Sequence, residues 1–192
     1  AWNGAGAAAV ALDPRNGEVL AMVSLPSPDG NDFSRGLTAS EYKRITSNPE
    51  RPLFNRAISG LYPAGSTVKP LIASAALQEK IIDPAKQIDD TLGYISIPNQ
   101  YDPDVVYIFK DWKAHGYVDM RRAIAVSANV YFYTIGGGYK NNKGLGIEKI
   151  DKYLKLFGLG AVLGIDLDGE KSGLVPTPEW KKKAKKEDWF TG

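Results

Sequence analysis

The pattern of apolar and polar residues predicts a β-hairpin at the start of the chain. Residues 6–12 are small and apolar, residues 18–25 are mostly apolar, and Asn16-Gly17 lies in the turn between them. An Asn-Gly pair flanked by apolar runs is a strong hairpin signal. We therefore expect two antiparallel strands here.

Most of the remaining pattern indicates helices separated by irregular segments. Asp119 is a suitable N-cap, residues 127–129 interrupt a helical pattern, and Gly158 follows the clearest amphipathic stretch as a natural stop. Pro70 falls in a first helical turn, where its missing N–H costs little. Helices are predicted over residues 40–46, 66–80, 119–126, 130–135, 146–157 and 179–186.

The segments between these helices carry weaker signals. Residues 26–55 are polar and rich in Pro, Ser, Asn and Asp, which predicts a long loop around the short helix at 40–46. Residues 56–63 are predicted to be irregular, and residues 83–112, broken by prolines, should form short pieces only. No internal repeat or low-complexity linker is visible in the sequence, so a single domain is the simplest expectation.

Composition and charge narrow the classes of function. The apolar share of 43% and charged share of 24% are ordinary for a globular protein, and the net charge of +2 argues against a nucleic-acid partner. The basic run at 181–186 is interpreted as a solvated helix face rather than a docking patch. The sequence contains no cysteine, which removes disulfides, thiolate zinc sites and cysteine nucleophiles. No apolar run reaches the ~20 residues of a membrane span, and no signal peptide is visible.

Ser66 and Lys69 are candidates for a nucleophile and its base. A serine hydroxyl needs a base to attack, and helical residues at i and i+3 share one face, so the Lys69 amine can lie beside the Ser66 hydroxyl. A free lysine has a pKa of ~10.4, but burial and the positive end of a helix dipole both lower it. The unpaired N–H of Ser66 at the helix start could stabilise an oxyanion.

Two other interpretations compete at this segment. Ser-x-x-Lys alone occurs often, and a serine N-cap with a solvent-facing lysine would then be the better explanation. Residues 60–67 have the glycine spacing of a phosphate loop, but Ser66 stands where that motif needs its lysine, and no strand plainly precedes it. We therefore set the phosphate loop aside.

Ser127 and Asn129 strengthen the case for acyl transfer. A second hydroxyl near the lysine could pass a proton to a leaving group, and the Asn129 amide could hold a substrate carbonyl or the lysine itself. Taken alone, this segment would be explained by a helix break with local side-chain capping. Ser-x-x-Lys followed about sixty residues later by Ser-x-Asn, however, resembles the motif order of penicillin-binding proteins and serine β-lactamases.

The resemblance extends along most of the chain. Residues 55–70 resemble the nucleophile segment of class B penicillin-binding proteins. Matches to the elongation-type branch of that family, penicillin-binding protein 2, follow in order at residues 109–113, 115–118, 129–133, 164–167 and 176–181. The implied fold is the α/β (α+β) β-lactamase/transpeptidase-like fold, represented by its helical part and the first two strands of an incomplete sheet.

The resemblance implies a reaction and a role for each candidate residue. Ser66 resembles the acylated nucleophile, Lys69 its base, Ser127 the proton relay and Asn129 the residue that orients substrate. The implied enzyme is a serine-type D-Ala-D-Ala transpeptidase that cross-links peptidoglycan stem peptides during cell-wall elongation, needs no cofactor and is acylated by β-lactams. Such proteins have an N-terminal membrane span, absent here, a catalytic part on the periplasmic face of the inner membrane, and a glycosyltransferase partner.

The sequence departs from the family at two places. The third motif, Lys-Thr-Gly or a variant, is absent. We therefore expect residues 1–192 to be a partial transpeptidase domain that is inactive by itself, within a protein that continues past Gly192. Some elongation-type relatives carry a Cys beside the second serine, near a His and Asp residues that can bind metal. Here that position is Ala128, and although Asp111 and His115 remain, no metal is expected.

Two alternatives stay open on the same fold. A β-lactamase or D,D-carboxypeptidase needs an activated water for deacylation, and no matching glutamate loop is visible in the sequence. A non-catalytic β-lactam sensor or scaffold would form a stable acyl-enzyme and act through a signalling partner.

Overall fold

A computed structural model describes residues 6–99, 102, 104–187 and 189. Its contacts form two compact units. The first contains the chain up to Tyr62 together with Val162–Gly173, and the second contains Pro63–Ala161 and the chain from Leu174 onward. Among the described residues, no helix has the length and apolar character needed to cross a membrane.

The first unit begins with the predicted hairpin. Strands β1 (Ala7–Leu12) and β2 (Val19–Leu25) pair antiparallel, with Ala7 opposite Leu25. Gly17 adopts a φ of 80° in the turn, a conformation that glycine adopts without steric cost. The hairpin prediction is therefore confirmed.

Three short helices follow the hairpin in the first unit. They are α1 (Gly30–Ser34), α2 (Ala39–Thr46) and α3 (Arg56–Ser59). The prediction of α2 is confirmed, and Thr38 with Glu41 forms a capping box at its start. The expectation of irregular structure was wrong for α1 and α3. Their N-caps, Asp29 and Asn55, accept hydrogen bonds from backbone N–H groups two residues on, which stabilises even these single turns.

A closed loop completes the first unit. The Glu170 carboxylate accepts hydrogen bonds from the backbone N–H groups of Leu163, Gly164 and Ile165 at 2.6, 2.9 and 3.1 Å. The next residue, Lys171, donates its N–H to the carbonyl of Ile58 in α3 over 3.1 Å. Glu170 therefore fixes the shape of this loop, and Lys171 joins it to α3.

The second unit contains most of the regular structure. A 3₁₀ turn at Gly65–Val68 leads into α4 (Lys69–Gln78). Strands β4 (Tyr94–Pro98) and β5 (Val106–Lys110) pair antiparallel, as do β3 (Ile88–Asp90) and β6 (Gly116–Val118). The helices that follow are α5 (Met120–Val126), α6 (Asn129–Gly137), α7 (Gly146–Leu156) and α8 (Pro178–Lys185).

The predicted helix at 66–80 differs from the structure in its first turn. Residues 65–68 form a 3₁₀ turn, and α-helical geometry begins at Lys69. Pro70 has no N–H to donate to the Ser66 carbonyl four residues earlier. That carbonyl instead accepts a hydrogen bond from the N–H of Lys69, three residues on.

Helix α6 lies at the centre of the hydrophobic core of the second unit. Val130, Tyr131 and Ile135 are fully buried on it, and α4 packs against it through small residues such as Ala76. A helix that is apolar on all sides is stable only when surrounded. The core therefore fixes the N-terminal ends of α4 and α6 close together.

Candidate active site

The amine of Lys69 is the centre of a hydrogen-bonded cluster in the second unit. Nζ donates hydrogen bonds to the carbonyl of Ser127 at 2.7 Å, to the Ser127 hydroxyl at 3.0 Å and to Oδ1 of Asn129 at 2.6 Å. Lys69 is only 8% exposed, and Nζ lies 5.3 Å from the ring centre of Phe132. The structure thus brings together three of the four residues predicted from the sequence.

The turn that carries Ser127 and Asn129 has an unusual backbone. Ser127 directly follows the last residue of α5 and adopts the left-handed conformation with φ 56° and ψ 44°. The N–H of Ala128 returns to the carbonyl of Ala123 at 2.9 Å, and α6 starts at Asn129. Left-handed geometry in a serine costs about 1–2 kcal/mol, a form of strain that clusters at functional sites.

The environment of Lys69 makes its amine easier to deprotonate than that of a free lysine. Burial lowers the pKa of Lys69, while the negative charge of Asp111 opposes that shift. Asn129 accepts from Nζ without adding negative charge of its own. A lysine with a lowered pKa can act as a base at neutral pH, and its lone pair would then accept a hydrogen bond from the Ser127 hydroxyl.

Ser66 takes no part in these hydrogen bonds. It is exposed in the 3₁₀ turn, one turn before Lys69. Among the described residues, neither its hydroxyl nor its N–H has a hydrogen-bond partner, and Lys69 donates to Ser127 and Asn129 instead. An exposed hydroxyl and a free N–H leave Ser66 available to a bound carbonyl group.

A second buried cluster contains Asp90, which the sequence analysis missed. Ligand atoms of Asp90, Asp111 and His115 all lie within 4.8 Å of one another. The carboxylate oxygens of Asp90 and Nε2 of His115 are buried without a hydrogen-bond partner among the described residues. Burial, and then the charge of Asp111, raise the pKa of Asp90 to about 6. Asp90 lies in the short strand β3, where no local motif marks it.

These three residues do not complete a structural zinc site. Such sites almost always use four protein ligands. Residue 128, beside Ser127, is a fully buried alanine and offers no ligand atom. The chain therefore presents two carboxylates and one imidazole, one ligand short of a closed tetrahedral set.

The chain is similar to transpeptidases over nearly all of its length. Residues 7–187 match the penicillin binding protein transpeptidase domain. The peptidoglycan D,D-transpeptidase MrdA of Acinetobacter baumannii is 40% identical over 187 residues, covering 96% of this chain and 26% of that protein. The MrdA of Haemophilus influenzae is 41% identical, with 96% of this chain and 27% of that protein covered. The chain thus spans about a quarter of the length of these curated relatives.

Solved structures show the same similarity. Pseudomonas aeruginosa PBP2 in complex with WCK 5153 has a TM-score of 0.81 and 36% identity, with 98% of this chain and 40% of that chain covered. Helicobacter pylori PBP2 in complex with MreC has a TM-score of 0.82 and 32% identity, with 98% and 33% covered. The expected β-lactamase/transpeptidase fold with an incomplete sheet is thereby confirmed.

Proposed function

This chain belongs to the penicillin-binding protein transpeptidase domain family, and we propose that it supplies the nucleophile side of a peptidoglycan D,D-transpeptidase active site. The observation that supports this function best is the contact of the buried Lys69 amine with Ser127 and Asn129, one turn after Ser66. A buried lysine held by neutral acceptors is suited to remove a proton.

In the proposed acylation, Ser66 attacks the carbonyl carbon between the last two D-Ala residues of a stem peptide. Neutral Lys69 takes the hydroxyl proton as the carbon–oxygen bond forms. The peptide C–N bond then breaks, and the departing amine of D-Ala receives a proton from Lys69 through the Ser127 hydroxyl. Asn129 keeps the amine oriented and is available to hold the substrate backbone.

In the second half-reaction, an amine of a neighbouring stem peptide attacks the Ser66 ester. As the new C–N bond forms, the carbon–oxygen bond of the ester breaks, the attacking amine gives up a proton and the Ser66 oxygen takes one up. A new peptide cross-link and the free serine remain. β-Lactams would acylate Ser66 in the same way. The resulting ester would be deacylated slowly, because no amine acceptor displaces the β-lactam efficiently.

The remaining parts of the site and of its setting are also proposals. A strand with Lys-Thr-Gly or a variant, not found in this sequence, would supply contacts to the substrate carboxylate and the second oxyanion donor. The intact protein would be held at the periplasmic face of the inner membrane and would work with a glycosyltransferase. The complex of Helicobacter pylori PBP2 with MreC makes an MreC-like protein a further candidate partner.

Labelling by a fluorescent penicillin tests the proposal. We expect stoichiometric and stable labelling of the intact protein that carries this chain, its loss in Ser66→Ala, and much weaker labelling of the 192-residue chain alone. Stoichiometric labelling of the chain alone would contradict the partial site. Rapid β-lactam turnover would favour a β-lactamase or carboxypeptidase, and stable labelling without cross-linking of stem peptides would favour a sensor.

A further inference from the structure

The turn between α5 and α6 lacks the cap that a helix start normally has. Ala128 occupies the N-cap position of α6 and makes no side-chain hydrogen bond. Ser, Thr, Asp or Asn is preferred there, because a side-chain oxygen accepts from the N–H of the second or third helical residue. Ser127 beside it is also in the left-handed conformation. Other residues must therefore stabilise this turn.

Asp111 supplies the missing cap from the end of strand β5. Its Oδ2 accepts a hydrogen bond from the N–H of Val130, the second residue of α6, at 2.9 Å. Its Oδ1 accepts from the N–H of Trp112 at 2.7 Å, which fixes the orientation of the carboxylate. The Asp111 side chain is fully buried. A charged acceptor at a helix N-terminus is also favoured by the helix dipole.

Trp112 contacts the other side of the same turn. Its indole N–H donates to the carbonyl of Val126, the last residue of α5, at 3.2 Å. The ring is edge-on to His115 at 5.0 Å and lies under the Lys113 amine at 4.6 Å, so its orientation is fixed even though Trp112 is 61% exposed. An exposed indole with its N–H directed inward is consistent with a specific hydrogen-bonding role.

We propose that Asp111 and Trp112 are positioning residues that hold Ser127 and Asn129 against Lys69. The two bonds end on Val126 and Val130, which directly flank the segment from Ser127 to Asn129. Because both come from adjacent residues of one strand end, they fix the distance between the end of α5 and the start of α6. This inference rests on the proposed acyl-transfer function of that segment.

Tyr133 offers a matched control for the structural part of this role. Its hydroxyl donates to the carbonyl of Lys110 at 3.4 Å, so it also joins α6 to the end of β5, one residue before Asp111. It makes no hydrogen bond to the turn. Tyr133→Phe should therefore lower stability in the same region without changing the geometry at Lys69.

The test is acylation of the intact protein by a fluorescent penicillin, with the binding constant and the acylation rate constant measured separately. Misplacing reacting groups slows chemistry more than binding, so we expect Trp112→Phe and Asp111→Ala to lower the rate constant by about tenfold or more. The binding constant should stay within about threefold, and Tyr133→Phe should change neither. Asp111→Asn retains one acceptor oxygen and should recover part of the rate.

The positioning role would be overturned if Trp112→Phe and Asp111→Ala acylated with the same rate constant as Tyr133→Phe. That result would leave the proposed function intact. Absence of labelling in the wild-type protein would instead refute the proposed function. Hydrogen exchange tests the positioning independently of acylation: Asp111→Ala should speed exchange at the Val130 N–H by at least about tenfold relative to Tyr133→Phe. Unchanged exchange would overturn the cap itself.

Discussion

Lys69 donates a hydrogen bond to Oδ1 of Asn129 over 2.6 Å, although the two residues lie 60 positions apart in the chain. The packing of α4 against α6 makes this contact possible, because each residue is the first of its helix. The acceptor is an uncharged amide. It therefore fixes the amine without offsetting the burial that lowers the pKa of Lys69.

Asn129→Asp should slow acylation at neutral pH by raising the pKa of Lys69. A carboxylate at this distance favours the protonated amine, whereas the base must be neutral to accept the Ser66 proton. Acylation increases as the base loses its proton, so its rise with pH should move to higher pH in the variant. The measurement is the acylation rate constant of the intact protein between pH 6 and 10, a range of about four units below the ordinary lysine pKa of ~10.4.

Asn141→Asp is the control for this change. Asn141 is exposed in the loop before α7, so the substitution adds the same charge away from Lys69. Its acylation profile should match the wild type. A profile for Asn129→Asp that also matches the wild type would mean that the Asn129 contact does not govern the protonation of Lys69.

Lys69→Arg should separate a base from a mere positive charge at this position. Arginine stays protonated at any accessible pH, so it can attract an anion but cannot take a proton. We expect the acylation rate constant to fall by about 10²- to 10⁴-fold, the usual contribution of a general base. Retention of more than about a tenth of the rate would show that Lys69 acts through its charge. Exposed Lys86 provides the control, because Lys86→Arg should leave the rate unchanged.

The sequence predicted those elements whose ends or periods carry strong local signals. Asn16-Gly17 marked the hairpin, and Asp119 marked the start of α5, where its carboxylate accepts from the N–H of Arg122 at 2.7 Å. It missed α1 and α3, because helices of five and four residues are too short to show a hydrophobic period. It predicted only short pieces over residues 83–112, because of the prolines there, and did not identify the pairing of β4 with β5.

The site could be predicted only where motifs carried it. Ser66, Lys69, Ser127 and Asn129 were found from two short motifs in family order. Asp90 and Trp112 belong to no such motif, and their roles depend on which strand ends face α5 and α6. Such long-range contacts follow from packing of the whole unit, which the spacing of residues in one sequence does not reveal.

Ser127→Gly and Ser127→Ala should separate the strain at this position from the chemistry of its hydroxyl. Both lose the hydroxyl that meets Lys69, so both should acylate more slowly. Glycine adopts a φ of 56° without steric cost, whereas alanine keeps the penalty. The glycine variant should therefore be more stable than the alanine variant by about 1 kcal/mol in denaturant unfolding. Because glycine loses more backbone entropy on folding than alanine, a glycine variant less stable than the alanine variant would mean that the left-handed backbone at Ser127 stores no strain.

Asp90→Asn should stabilise the protein above about pH 6 but not in acid. The pKa of Asp90 is raised from 3.8 to about 6, so the folded state binds more protons than the unfolded state between these values. Wild-type stability must then fall as pH rises through this window, whereas a neutral asparagine avoids the penalty. A pKa raised by this much corresponds to an increase in the free energy of unfolding of Asp90→Asn, relative to the wild type, of at most about 3 kcal/mol above the window. Urea unfolding at pH values from 4 to 8, about four units across the transition, measures it.

The neighbouring Asp89 provides a control of opposite sign. Asp89 is exposed on β3, and its hydrogen bonds from Thr91 lower the pKa of its carboxyl. Folding therefore favours its charged form, and Asp89→Asn should destabilise the protein at neutral pH. The difference in stability between variant and wild type should disappear as the pH falls through the range where this carboxyl titrates. If Asp90→Asn also destabilised the protein above pH ~6, and a chelator removed that difference, the charged Asp90 would be stabilised by a bound cation rather than penalised by burial.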